Sequence, residues 1–170
     1  MNESEPREVN YDKVERFTEV IHTLIADWGR FIRILKPDAA AHAATTFKNE
    51  LRSRAFAEFA VDYALSPTGG QGGPVADFYL PEEATIVTIA FDLRESNGEF
   101  ERSILKALMV QTAGRVVTRL LFLAKAGARA RCNTPIRKSI TEWAASEYGL
   151  QVEIREMGSI VESIFDMGDE

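Results

Sequence analysis

The chain has 170 residues, of which 45% are hydrophobic and 27% charged, and its net charge is −6. This size and composition predict a single domain over residues 1–170, with peripheral segments at 1–10 and 158–170. No apolar run approaches the ~20 residues of a membrane-spanning helix, and the acidic start lacks the apolar stretch of a signal peptide, so we expect a cytoplasmic protein with no membrane partner. The single cysteine, Cys132, excludes an internal disulfide framework.

The positive charges are concentrated in one part of the chain. Residues 102–141 contain nine Lys or Arg residues and no Asp or Glu, so the rest of the chain sums to −15. Such a basic block can serve an anionic partner, although side chains spread over a solvated surface would give the same count. Both interpretations remain open from the sequence.

Two helices are predicted ahead of the first strand. Apolar residues recur with helical spacing from Tyr11 to Leu35, and Pro37 ends the pattern. This apolar stripe is wide enough to pack on a large surface or on a second subunit. A second, alanine-rich helix begins near Asp38 and carries a column of acids that could help hold a divalent cation or simply face solvent: Glu50, Glu58 and Asp62.

A strand pair is predicted over residues 74–94, joined at 81–83. The glycine-rich segment 66–74 comes before it and is not a phosphate loop, because a strand and not a helix follows. The first strand carries a lone acid, Asp77. The second strand is apolar on both faces, which predicts a central, buried position, and it ends in Asp92 and Arg94.

Two strand–helix–strand passages complete the chain. We predict a helix over 97–112 that begins at a capping box (96–99), a strand over 115–125, a loop over 126–133, a helix over 135–148 capped by Thr134, and an edge strand over 151–156. The inward stripes of these two helices are predicted to include Leu105, Met109, Ile136, Trp143 and Tyr148. Crossover connections predict a three-layer α/β/α fold with a central mixed, partly parallel sheet of at least four strands, preceded by two N-terminal helices.

This order of elements and two short motifs resemble the restriction-endonuclease-like PD-(D/E)xK nuclease superfamily over about residues 38–156. The segment 74–77, Pro-Val-Ala-Asp, is similar to a loosened PD, and residues 92–94, Asp-Leu-Arg, are similar to the second half of the motif. The resemblance implies a Mg²⁺-dependent DNA endonuclease. It implies Asp77 and Asp92 as metal ligands, with Glu58 as a further candidate, and Arg94 or Lys106 at the scissile phosphate.

The second strand departs from the family pattern. Arg94 stands where the family has lysine, and a guanidinium stays protonated, so it could stabilise charge but could not accept a proton from water. In the other register, the positions of the acid and the lysine hold Thr88 and Ala90. Because some family members carry these groups on the next helix, Glu101 is a candidate beside Lys106. The alternative function is a catalytically inactive nuclease-fold module used for binding or oligomeric assembly.

The resemblance also implies partners. The basic block would follow the phosphate backbone of DNA, and five of its side chains are predicted to contact nucleic acid: Lys125, Arg129, Arg131, Arg137 and Lys138. Sequence-specific enzymes of this type usually act as two-fold dimers, so the stripe of the first helix is expected to form a homodimer interface. A small-ligand α/β domain is a third alternative, against which the lack of a glycine turn between a strand and a helix counts.

Overall fold

The computed structural model describes residues 13–34, 43–65, 77–90, 93 and 98–157, with the backbone alone at 29–34, 43, 44 and 77. The helices are α1 (Lys13–Ile34), α2 (Ala43–Phe59), α3 (Glu99–Thr112), α4 (Ala128–Cys132) and α5 (Pro135–Tyr148). The strands are β1 (Asp77–Leu80), β2 (Thr85–Ala90), β3 (Arg119–Ala124) and β4 (Gln151–Glu156). The predicted order is confirmed, except that the short helix α4 occupies a stretch expected to be a loop. The glycine-rich segment 66–74, Ser96 and both predicted peripheral segments lie outside the described residues.

The four strands form one mixed sheet in the order β1-β2-β3-β4. β1 is antiparallel to β2, whereas β2, β3 and β4 are parallel to one another. Every residue of β2 is buried, and β3 is buried at all but its first residue, as their continuous apolar runs predict. The crossovers from β2 to β3 and from β3 to β4 step in the same direction across the sheet, and their helices pack on the same face.

Helices cover both faces of the sheet, which confirms the three-layer α/β/α architecture. On one face, α1 and α2 pack on the sheet through a core that includes Phe17, Trp28 and Phe78. On the other face, α3 and α5 pack through a second core that includes Phe100 and Phe122, whose rings stack at a centroid distance of 5.2 Å. Among the described helices, none combines the length and apolarity needed to cross a bilayer.

The apolar stripe of α1 lies inside the chain wherever its side chains are described. Its members pack against α2 and the sheet: Val14, Phe17, Ile21, Leu24, Ile25 and Trp28. A subunit interface built on this part of α1 would have to remove it from the core. The structure therefore gives no support to the predicted homodimer through the first helix.

The hairpin between β1 and β2 is connected to the start of α1. A short 3-10 helix, Pro81–Glu83, links the two strands, and Glu83 is its last residue. One carboxylate oxygen of Glu83 accepts a hydrogen bond of 2.8 Å from the backbone N–H of Val14, and the other lies 3.2 Å from the Arg119 guanidinium. A carboxylate is favourable here because the N–H groups of a first helical turn have no partner within the helix.

The crossover helices α3 and α5 begin differently. Thr134 caps α5 as predicted, since its side chain accepts a hydrogen bond from the backbone N–H of Arg137. The predicted start of α3 is two residues early, because the helix begins at Glu99. The residue that flanks α3 is Gly98, which has a left-handed φ of 60° and no side chain that could cap the helix.

Five side chains predicted to point inward are instead exposed. They are Leu105 and Met109 on α3, and Ile136, Trp143 and Tyr148 on α5. Helical periodicity identified two apolar stripes correctly, but each stripe is wider than the side of the helix that contacts the sheet. The excess apolar surface of α3 and α5 faces solvent.

Arg52 connects α2 to the segment that leads toward the sheet. Its Nε donates to both carboxylate oxygens of Asp62, at 3.0 and 3.1 Å, and Asp62 also accepts from the backbone N–H of Ala64 at 3.1 Å. Ala64 in turn bridges to Phe78 in β1. The hydrogen bonds from Arg52 hold the pKa of Asp62 below its ordinary value of 3.8.

We expect Asp62→Asn to lower the free energy of unfolding at neutral pH by less than about 1 kcal/mol, because the ion pair is partly exposed. A carboxyl group whose pKa is lower in the folded state stabilises that state above its unfolded pKa, which for Asp is close to this ordinary value. This stabilisation is lost as the pH falls through the folded-state pKa. Urea denaturation at neutral and at strongly acidic pH measures the effect; a difference from wild type that persists in strong acid would contradict this assignment.

Candidate functional site

One edge of the sheet collects most of the positions predicted to be functional. The parallel strands β2, β3 and β4 end there at Ala90, Ala124 and Glu156, and the antiparallel strand β1 begins there at Asp77. Lys125 follows β3 directly. Ligands of open α/β sheets bind outside the carboxyl ends of the strands, so this carboxyl edge is the candidate site.

The register of β1 on β2 determines which residue lies opposite Asp77. The Cα of Asp77 pairs with Thr88, and Thr88 pairs in turn with Phe122 of β3. The alternative register of the sequence motif, with Thr88 in place of the acid and Ala90 in place of the lysine, is therefore the one beside Asp77. Asp92 and Arg94 lie outside the described residues, so their joint action with Asp77 stays a prediction.

Glu58, the candidate further metal ligand, lies in the helical layer formed by α1 and α2. Its carboxylate makes an ion pair with Arg16 of α1, and both side chains are partly exposed. It lines an open cavity of about 410 Å³ between these two helices, together with Glu19 and Arg54. The other acids of its column are also paired, Glu50 with Arg54 and Asp62 with Arg52. The acids of this column therefore form ion pairs with arginines on a solvated surface. This arrangement gives no support to Glu58 as a metal ligand.

Lys106 and Glu101 both lie on α3 but face different surroundings. Lys106 is exposed, midway along the helix, about 10 Å of helical rise from its first residue. Glu101 lies in the first turn, where its carboxylate pairs with Arg137 at 3.0 Å. The structure thus brings Glu101, and not Lys106, near the start of α3 at the carboxyl edge.

Arg137 was predicted to contact nucleic acid, but its side chain is only 1% exposed. The guanidinium donates to Glu101, to the backbone carbonyl of Leu93 at 2.9 Å and to the Cys132 sulfur at 3.2 Å, and it lies 4.9 Å from the Phe100 ring centroid. Burial opposes the charged form, but Glu101 and Cys132 outweigh it and raise the pKa of Arg137 above its ordinary value. Arg137 is thus buried by these contacts, and its predicted role in binding nucleic acid stays a prediction.

Cys132 lies beside Arg137 at the end of α4. Burial raises the pKa of its thiol, and the neighbouring Arg137 only partly opposes this effect. The thiol is consequently protonated at neutral pH, whereas a reactive cysteine needs the thiolate. Cys132 acts here as a small buried side chain, as free cysteines commonly do.

A groove lies between α4, α5 and β4, next to the carboxyl edge. Its volume is about 470 Å³, and Arg129 and Lys138 line it together with the polar side chains of Asn133 and Thr141. The guanidinium of Arg129 donates to the carbonyl of Ile154 at 2.9 Å, whereas Lys138 is exposed. The groove thus brings cationic and uncharged polar side chains together.

The remaining predicted contacts lie close to this groove. Arg131 is exposed on α4 and donates to the backbone carbonyl of Ala126 at 3.2 Å, and Lys125 is half-buried just after β3. All five predicted nucleic-acid contacts thus fall in or beside one groove, of which Arg137 is a buried part.

Sequence reasoning missed the pairing of Glu101 with Arg137 and the polar residues of the groove. A signal for the first was present, because Arg137 precedes the buried Ala144 by two helical turns and so shares its inward face. No group of three or more His, Cys, Asp or Glu side chains arranged to hold a metal ion is found within the described part of the chain. Comparisons with protein-family models, curated proteins and solved structures gave no match for this chain.

Proposed function

We propose that the chain is a non-catalytic nuclease-fold module that binds the phosphate backbone of DNA in the groove between α4, α5 and β4. The main support for this proposal is the groove itself, because exposed cations line this open cavity beside the carboxyl edge of the sheet. Phosphate contacts position a protein on a duplex without reading its sequence, and they need cations with hydrogen-bond donors nearby. Lys138, Asn133 and Thr141 supply both kinds of group.

The distribution of charge supports DNA in spite of the negative net charge. The groove is built largely from the stretch 102–141, which has no acidic residue. Acids on α1 and α2, and Asp62 just after α2, are paired with arginines in the layer on the opposite face of the sheet. Because charges separated by more than about 10 Å are screened at physiological ionic strength, these acids contribute little to the field in the groove.

We infer that the module does not cleave DNA from the register in which β1 pairs with β2. The residue opposite Asp77 is Thr88, and β2 ends in Ala90, so the described end of this strand supplies neither the second carboxylate nor the lysine of the family motif. The Thr88 hydroxyl cannot replace a carboxylate in holding Mg²⁺, and the Ala90 methyl group cannot replace an amine in activating water.

We expect Lys138→Glu to weaken binding of a short DNA duplex by about tenfold and to reduce the slope of log affinity against log salt by about one, because one phosphate contact is lost. Fluorescence anisotropy at several salt concentrations measures both quantities. Arg115→Glu is the matched control, since it changes the net charge equally but lies beyond α3 at the opposite edge of the sheet, where Arg115 packs on Tyr79. An equal loss in both variants would mean that only net charge matters, and the groove would be the wrong site.

A Mg²⁺-dependent endonuclease is the second candidate function, and the position of Asp77 favours it. Asp77 begins β1 at the carboxyl edge, the edge at which β2 ends two residues before Asp92. In that case Asp77 and Asp92 would hold Mg²⁺, with Arg94 at the phosphate. Incubation of plasmid, duplex and single-stranded DNA with Mg²⁺ or Mn²⁺ separates the two functions: cleavage that is lost in Asp77→Asn would establish the nuclease and overturn the non-catalytic module.

A further inference from the structure

The groove between α4, α5 and β4 combines an apolar wall with positive charge. Val152 and Ile154 of β4 line it and are half-buried, and they pack on the core of this face of the sheet. Arg129 and Lys138 line the same groove and are exposed. A phosphate backbone would use the cations but has little apolar surface to place against Val152 and Ile154. A peptide with both acidic and apolar side chains would contact both parts of the groove.

Residues 158–170 of this chain have the composition of such a peptide. They include four acids and no Lys or Arg, so their net charge is −4. Large apolar residues are interspersed with these acids: Ile160, Val161, Ile164, Phe165 and Met167. We call residues 158–170 the acidic segment. Its charge is opposite to that of the groove, and its apolar residues suit the apolar wall.

The acidic segment starts close to the groove. It follows Met157, which is 1% exposed and donates a hydrogen bond of 2.8 Å from its backbone N–H to the carbonyl of Ala124 at the carboxyl edge. Ile154, which lines the groove, lies three residues earlier, about 10 Å along the strand. The segment spans up to about 45 Å when extended, whereas α5 is about 21 Å long. It is therefore long enough to turn back and reach every part of the groove.

The acids that already lie near the groove do not cancel its positive charge. Glu101 pairs with Arg137, and Glu156 accepts a hydrogen bond of 2.8 Å from the backbone N–H of Arg129. Glu153 of β4 pairs with Arg155 on the same strand. The cations in and beside the groove outnumber Glu101 and Glu156: they are Lys125, Arg129, Arg131, Arg137 and Lys138. An acidic segment therefore meets a net positive charge there.

The other acidic stretch outside the described residues is placed less well for this groove. Residues 1–10 have three acids and one Arg, and they precede α1, which packs on the opposite face of the sheet. Lys13, the first residue of α1, pairs with Glu82 in the turn between β1 and β2, which lies at the edge opposite the carboxyl edge. The acidic segment at 158–170 has the larger charge and starts at the correct edge, so we favour it as the occupant of the groove.

We propose that the acidic segment binds in the groove between α4, α5 and β4 of its own chain and competes there with DNA. The competition rests on the proposed DNA-binding function, whereas the docking of the segment does not. A tethered segment has an effective concentration of about 1 mM, so an intrinsic dissociation constant of about 0.1 mM would fill about 90% of the grooves. DNA would then bind about tenfold more weakly than to an open groove.

Amide NMR spectra of the full chain test the docking. Replacement of Ile164 and Phe165 by Ser removes apolar contacts without changing the net charge, and it is expected to shift the amide signals of groove residues such as Asn133 and Thr141. Phe56→Ser/Val61→Ser is the matched control, because both side chains are exposed apolar groups in the layer of α1 and α2. Groove signals that stay in place in the Ile164/Phe165 variant would overturn the proposal. So would wild-type signals that move on dilution, because the segment would then bind a second copy.

Binding of a short DNA duplex tests the competition. The variant Ile164→Ser/Phe165→Ser is expected to bind about tenfold more tightly than the wild-type chain, because its groove is open. Lys138→Glu, introduced into that variant, tests the DNA site without interference from the segment. If Lys138→Glu weakens binding but the segment variant binds no more tightly than wild type, the competition is overturned and the DNA site stands. If the groove signals shift but Lys138→Glu has no effect, the docking stands and the proposed DNA site fails. Circular dichroism checks the folding of each variant.

Discussion

Arg137→Ala is expected to lower the free energy of unfolding by about 3–5 kcal/mol, a large part of the stability of a domain of this size. The guanidinium is buried and has three acceptors, on Glu101, Leu93 and Cys132. Its removal leaves the Glu101 carboxylate and the Leu93 carbonyl without this donor and opens a cavity against Phe100. Most of this loss arises because the Glu101 carboxylate and the Leu93 carbonyl are left without a hydrogen-bond donor. The Glu101–Arg137 ion pair itself contributes less, because both of its members had to be desolvated when it formed.

Two further variants separate charge from packing at this position. Arg137→Lys keeps the charge and much of the stem, but its single nitrogen cannot take the place of both Nε and Nη1, which donate to different partners, so we expect an intermediate loss. Glu101→Gln keeps the shape and an acceptor oxygen, so its effect should be smaller than that of Arg137→Ala. Urea denaturation measures all three; a loss below about 1 kcal/mol for Arg137→Ala would contradict the role of the pair in the core.

Glu83→Ala is expected to lower the free energy of unfolding by about 2–3 kcal/mol. The side chain of Glu83 is only 3% exposed, and it bonds both to the first turn of α1 and to Arg119 of β3. Its removal leaves the Val14 N–H unsatisfied and weakens the attachment of the α1–α2 layer to the sheet. Arg119 retains Thr85 and Glu153 as partners, which limits the loss.

The neighbouring acid provides the control for this prediction. Glu82 belongs to the same turn, but it is 39% exposed and pairs at the surface with Lys13 and with the Tyr63 hydroxyl. Glu82→Ala should therefore cost less than about 1 kcal/mol, as surface ion pairs usually do. Similar losses for the two variants in urea denaturation would show that Glu83 is not a buried cap of α1.

The layered fold could be predicted because its signals are local. The apolar runs of β2 and β3, the Thr134 cap and the alternation of β4 each require only neighbouring residues to be read. The short helix α4 was missed because five residues are too few to establish a periodic pattern. Such a turn is stabilised by its tertiary contacts, such as the bond between the Arg129 N–H and Glu156.

The candidate site could be predicted only in part, since it depends on contacts between distant residues. The basic block was visible in the sequence, but whether a cation faces solvent or the core depends on the helix it occupies. Arg137 and Lys138 are adjacent in the chain and both line the groove, yet Arg137 is buried and Lys138 is exposed. The register that places Thr88 opposite Asp77 likewise depends on how the hairpin closes, which periodicity alone does not determine.

The hydrogen bond from Arg129 to the Ile154 carbonyl affects whether a strand of another molecule can be added to the sheet. β4 is an edge strand, and its outward carbonyls could accept hydrogen bonds from a strand of another molecule. The Arg129 guanidinium occupies one of these carbonyls, and the charged side chains of Glu153 and Arg155 hinder close approach along the same strand. A phosphate that drew Arg129 away would free that carbonyl, so the proposed phosphate binding would compete with protection against edge-to-edge aggregation for one side chain.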